Sequence, residues 1–168
     1  FYETDEGRIL LDGQDITSVN RHSLRSCFGM VLQDTWLSSG TIRDNLIMGN
    51  PKATEDEIRE ACAKTQCLEW IEQMEHGLDT IIHEDRLSAG QKQLLCITRV
   101  MLAKPKILIL DEATSSIDTR TEILVQKAFD ELMKGRTSFV VAHRLSTIRN
   151  ADLILVMNQG KIVGIGKH

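Results

Sequence analysis

The sequence predicts an α/β domain built on a mainly parallel sheet, and two observations carry that expectation. Short apolar runs recur at 28–32, 107–110 and 139–142, the pattern of strands buried on both faces. A helix-period segment at 119–134 separates the last two runs. Such alternation of helix and strand predicts parallel strands with helices over both faces of the sheet. With 168 residues, 42% of them hydrophobic, the chain is long enough to bury a real core.

The elements follow in order. Residues 7–11 and the turn at Asp12-Gly13 predict a short strand entering a tight reversal. The second strand, 28–32, ends at Gln33-Asp34. Residues 35–50 read as irregular, with a short helix over 41–47. Beyond Pro51, Thr54 and Glu57 have capping-box spacing. Ile58, Ala61, Cys62, Thr65, Leu68 and Ile71 then form one helical stripe, stopped by His76-Gly77. A helix over 88–103 is ended by Lys104-Pro105, and the strand 106–110 follows. The helix 119–134 is apolar at Leu124, Val125, Ala128, Phe129 and Leu132, with Gly135 as its C′ residue. The strand 138–142, a short helix over 146–149 and a pair of strands about Asn158-Gln159-Gly160 complete the chain. No internal repeat or low-complexity tract is present.

Composition narrows the function classes. A formal net charge of −4, with Arg and Lys scattered, argues against nucleic acid or a membrane surface as partner. No apolar run approaches the roughly 18 residues of a membrane span, and no signal-peptide pattern stands out. Cys27, Cys62, Cys67 and Cys96 form no C-x-x-C pair and read as apolar residues in a reducing compartment. Cys62 and Cys67, five apart on one expected helix, should point different ways. The absence of an initiator Met and the end at His168 suggest a piece of a longer protein.

Chemistry concentrates at strand ends. One apolar run ends at Gln33, another at Asp111-Glu112 and a third at His143. Each alone also reads as a strand end meeting water. In a parallel sheet, however, all three share one edge, where open α/β sheets place ligands. Paired carboxylates there need either water or a cation, since burying them unpartnered is expensive, and beside the other two strand ends a metal ion is the expected partner. The amide and imidazole would face a phosphate or an attacking water. Leu87-Ser88-Ala89-Gly90-Gln91 reads as a capped helix start, with Ser88 and Gln91 in S-x-x-Q spacing. A Gly in a first turn costs up to about 1 kcal/mol against Ala. Gly90 is therefore expected to clear space for an anion at the helix N-terminus.

The stretch "LSAGQKQLLCITRVMLAKPKILILDEATSSID", over 87–118, resembles the signature helix, Walker B strand and D-loop of ATP-binding cassette (ABC) transporter ATPases. "QDTWLSSGTIRDNL", over 33–46, is similar to the exporter branch. The resemblance covers essentially the whole chain and implies a partial P-loop NTPase (RecA-like) core, 1–34 and 88–168, with a helical subdomain at 35–87. It implies ATP and Mg²⁺ as cofactors. Glu112 would be the general base, His143 the γ-phosphate sensor and Gln33 the Q-loop residue touching metal or water. Asp111 would hold the metal, and Ser88, Ala89, Gly90, Gln91 and Asp118 would contact nucleotide. Asp118 reads equally as the N-cap of the helix starting at Thr119. The implied partners are a second nucleotide-binding domain and a transmembrane domain, at the cytoplasmic face of a membrane. A chromosome-maintenance ATPase shares a similar signature, but no long coiled coil interrupts this chain.

Two departures qualify the match. The phosphate-cradling motif G-x-x-x-x-G-K-S/T is missing. Gly160-Lys161 has Leu155 at the first Gly position and Ile162 after it; Gly166-Lys167 has Lys161 and His168. Phe1 and Tyr2 follow where the family's P-loop helix would end and read as core, not as the adenine-stacking aromatic. Nucleotide binding by the chain alone should be weak and turnover negligible. The alternative is a non-catalytic cassette that offers its signature in trans. "IIHEDRLSAG" also carries His83 where the family has Gly, in a loop about two residues shorter.

Overall fold

Three parallel strands frame the molecule, and a computed structural model describes residues 4–83, 86–111, 117–142 and 148–168. Before them, β1 (Leu10–Leu11) and β2 (Gln14–Asp15) pair antiparallel. Asp12 and Gly13 between them both have positive φ, as a two-residue hairpin of this twist requires. A helix the sequence reading lacked, α1 (Arg21–Ser26), comes next. Its cue is local: Asn20 Oδ1 accepts from the His22 amide at 2.8 Å.

The frame consists of β3 (Phe28–Val31), β6 (Ile107–Asp111) and β7 (Thr137–Val141), with β6 in the middle. Val31 pairs with Leu110, Leu110 with Val140, and Asp111 with Val141. Gly29, Val31, Leu108 and Leu110 share one face and are buried. A Cβ on Gly29 would overlap Val100 and Pro105, so this glycine lets β3 approach the helix above it. The opposite face differs from expectation. Met30, Phe139 and Val141 are 38%, 57% and 50% exposed, and no described element covers them. The apolar runs predict burial on both faces; among the described residues β3 and β6 bury alternate residues, and β7 alternates exposed with half-buried ones.

Between β3 and β6 lie β4 (Gly40–Thr41), α2 (Ile42–Ile47), α3 (Glu55–Lys64), α4 (Leu68–Glu72), β5 (Ile81–Ile82) and α5 (Ala89–Ala103). Capping boxes start both α2, from Thr41 and Asp44, and α3, from Thr54 and Glu57. The single helix expected through Ile71 is two. Gln66 adopts φ 62°, the Cys67 amide donates to Cys62 O at 2.9 Å, and the Gln66 amide donates to Ala63 O at 3.2 Å. These paired bonds form a Schellman ending. The reversal escaped notice because the left-handed position holds Gln rather than Gly or Asn. It also corrects the cysteine expectation: Cys62 and Cys67 are both fully buried on either side of this turn.

Helix α5 is the central pillar, contacting α2, α3, β3 and α6 (Thr119–Met133). Its middle joins α3 through buried hydroxyls, with Thr98 Oγ1 lying 2.6 Å from Thr65 Oγ1. Gly135, at φ 68°, follows α6. The antiparallel pair β8 (Ile154–Asn158) and β9 (Lys161–Gly166) turns at Gln159 and Gly160, both at positive φ. The short helix expected over 146–149 lies partly outside the described residues.

Candidate functional site

Because β3, β6 and β7 run parallel, their C-terminal ends lie along one edge. Asp111 is the last residue of β6 and is half-buried. Gln33 follows β3 by two residues and is exposed. The fold thus carries Gln33 and Asp111 to the same edge. Glu112 and His143 lie outside the described residues; in sequence, one directly follows β6 and the other stands two past β7.

Among the described residues, no group of three or more His, Cys, Asp and Glu side chains is placed to hold a metal. A carboxylate at Asp111 and an amide oxygen at Gln33 are nonetheless a donor set that suits Mg²⁺. That ion keeps several waters and needs only one or two protein carboxylates beside substrate phosphates.

The start of α5 is built from its own sequence. Ser88 Oγ accepts from the Gln91 amide at 3.2 Å, and Gln91 Oε1 accepts from the Ser88 amide at 2.9 Å. The Ser88 cap uses an oxygen lone pair and leaves the hydroxyl proton available to an anion. Ser88 and Ala89 are exposed, whereas Gly90 is buried. Its lack of a side chain has a packing cause that sequence reasoning missed. A Cβ there would overlap the Thr121 methyl and lie 3.2 Å from Ile117 Cγ2. Gly90 therefore permits α6 to cross the first turn of α5, which replaces anion access as the reason for a glycine.

Asp118 caps α6: Oδ1 accepts from the Thr121 amide at 3.0 Å and the Arg120 amide at 3.1 Å. Hydrogen bonds from Thr121, then from the Arg120 amide, hold its carboxyl below the usual range. Gly160-Lys161 is the turn and first residue of the β8–β9 hairpin, not a nest before a helix.

Arg99 and Asn45, which the sequence does not single out, join α5 to α2. Arg99 Nη2 donates to Asn45 Oδ1 at 2.9 Å, and Asn45 is fully buried. Asn45 sits in α2 among apolar neighbours, and once buried its amide must find partners.

Comparison with known proteins gives a consistent result. The ABC transporter family model matches residues 1–115. The fatty acid ABC transporter ATP-binding/permease protein of Mycobacterium tuberculosis (strain CDC 1551 / Oshkosh) is 55% identical over 170 residues, spanning 100% of this chain and 27% of the relative. The putative multidrug export ATP-binding/permease protein YgaD of Bacillus subtilis (strain 168) is 51% identical, spanning 100% of this chain and 29% of the relative. A solved bacterial Atm1-family ABC exporter with ATP bound superposes with a TM-score of 0.89 at 40% identity, covering 99% of this chain and 30% of that one. The chain thus spans less than a third of the length of these relatives. Its α/β architecture is that of a P-loop NTPase of the ABC exporter kind. Matched over well more than half its length by the family model, the chain belongs to the ABC transporter family, as part of an exporter-type nucleotide-binding domain.

Proposed function

We propose that this chain is the catalytic portion of a cassette that hydrolyses ATP to ADP and phosphate and couples that reaction to transport across a membrane. The observation that carries the reading is the parallel register of β3, β6 and β7, which brings Gln33 and Asp111 to one edge. Glu112, next in sequence to Asp111, accepts the proton of the attacking water. His143 donates to the γ-phosphate, and the Gln33 amide orients the water. Asp111, with Gln33, would hold Mg²⁺, which neutralises charge developing on the phosphate oxygens. Ser88 donates its hydroxyl proton to phosphate, while Ala89, Gly90 and Gln91 shape the surface beside it. Asp118 lines the approach while capping α6.

Residues 1–34 and 88–168 would form the ATPase core and 35–87 the helical subdomain. The partners would be a second nucleotide-binding domain, on whose nucleotide Ser88 acts, and a transmembrane domain. The names of the relatives, ATP-binding/permease proteins, support the latter. Among the described residues no helix is long and apolar enough to cross a membrane, so the span would come from another part of the assembly. The cassette would then face the cytoplasm.

A second reading has one observation in its favour: neither Gly-Lys pair forms a phosphate cradle, Gly160-Lys161 being a hairpin turn. In that reading the chain contributes only its Ser88–Gly90 surface to nucleotide held elsewhere. Steady-state ATP hydrolysis by the full-length protein separates the two. Mg²⁺-dependent turnover lost in Asp111→Asn is expected for a catalytic cassette; turnover indifferent to that change favours the second reading.

A further inference from the structure

The loop after β3 is held by one guanidinium. Arg99 Nε donates to the Asn45 carbonyl at 2.9 Å, Nη2 donates to Asn45 Oδ1 at 2.9 Å, and Nη1 donates to the Trp36 carbonyl at 3.2 Å. The same guanidinium lies 5.7 Å over the Trp36 ring centroid. Asn45 completes the clasp. Its Oδ1 also accepts from the Ser38 amide at 2.8 Å, and Nδ2 donates to Ser38 O at 2.9 Å and Thr41 O at 3.0 Å. All four hydrogen-bonding positions of that side-chain amide are filled. On the other side, a Cβ on Gly49 would overlap the Arg99 carbonyl, so the chain beyond α2 lies directly against α5.

From this geometry we propose that Arg99 is the positioning residue of the Gln33 loop, tying residues 36–45 to α5 so that Gln33 and the Ser88 end of that helix move together. The inference rests on the catalytic reading above and adds a residue that touches neither nucleotide nor metal. A guanidinium is required because three donors in a planar fork meet three carbonyl oxygens while its charge lies within cation–π range of Trp36; an ammonium provides one point of charge. Lysine retains the aliphatic stem and its packing, so it separates orientation from bulk. Trp36 stands only three residues from Gln33, and a displacement of about 1 Å at a reacting group costs up to about 100-fold in rate.

The test uses the full-length protein. Arg99→Lys should lower kcat for ATP hydrolysis about tenfold or more with KM for ATP within about twofold, because Asp111 still holds the metal and the phosphate contacts remain, while the orientation of the Gln33 amide toward the water is lost. Hydrogen exchange at the Ser38 amide should accelerate, while exchange along α5 is unchanged. An unaltered kcat in Arg99→Lys overturns the proposal, as does a fall in kcat that merely tracks loss of thermal stability. If the unsubstituted protein hydrolyses no ATP, the catalytic reading fails instead. The tie itself is then decided by exchange: faster at Ser38 in Arg99→Lys upholds it, and unchanged protection overturns it.

Discussion

Gly90 and Thr121 meet where α6 crosses the first turn of α5, and a single added methyl at Gly90 would occupy the space of the Thr121 Cγ2. The signature-like segment and the helix after the acid pair are thereby locked at close range. Gly90→Ala should destabilise the fold by about 1–3 kcal/mol, the range for overpacking a filled interface. Adding Thr121→Ser, which removes that methyl, should return part of the loss. Thermal denaturation of the two variants checks this; equal midpoints for the single and double variants would remove the packing explanation.

The hydroxyls of Thr65 and Thr98 link α5 to the end of α3 inside the core, and both side chains are fully buried. Thr98 also donates to Leu94 O at 2.7 Å. Thr98→Val keeps the shape but takes one partner from Thr65 and from Cys67, whose Sγ lies 3.4 Å from the Thr98 hydroxyl. A loss of about 1–3 kcal/mol is expected, reduced because the Thr65 hydroxyl proton can turn to Ala61 O, 2.8 Å away. Denaturant titration measures it.

Gln66 occupies the left-handed C′ position of α3 at φ 62°. A non-glycine residue costs about 1–2 kcal/mol there, whereas glycine enters freely but carries more unfolded-state entropy. Gln66→Gly should therefore raise stability by about 0.5–1 kcal/mol. A loss of stability would show that the glutamine side chain contributes more than its backbone costs.

The Asp118 carboxyl is held below its ordinary value by Thr121 and then Arg120. In the unfolded chain it takes up its proton near the usual pKa of about 3.9, and in the folded chain only at lower pH. Its contribution is therefore present above the unfolded value and lost as pH falls through the folded one. Asp118→Asn keeps a cap without a titrating group. Thermal midpoints of wild type and variant should converge as the pH drops below about 4. Parallel curves down to the acid limit would contradict the cap's charge dependence.

The legible parts of the fold were those written in local chemistry. Thr54 with Glu57, Ser88 with Gln91 and Asp12-Gly13 each announce a cap or a turn, and each forms. The three strands were recognisable because apolar runs of four or five residues bounded by polar groups have few other uses. What was not legible depended on tertiary contact. Gly90 reads as space for a ligand until α6 is seen against it. Arg99 reads as one more basic residue on a helix until its fork meets Asn45. Gln66 carries no turn signature, since the hydrogen bonds of a Schellman ending override its preference. The sheet face that no described element covers was not legible because periodicity reports which residues are apolar, not which neighbours are within reach.

The most direct measurement is steady-state ATP hydrolysis by the full-length protein before and after Glu112→Gln, with nucleotide binding followed in parallel. If the acid after β6 takes the proton from the attacking water, hydrolysis should fall by about 100-fold or more while Mg²⁺-ATP still binds. A variant that turns over at the unsubstituted rate would place the catalytic base elsewhere and end the case for this strand edge.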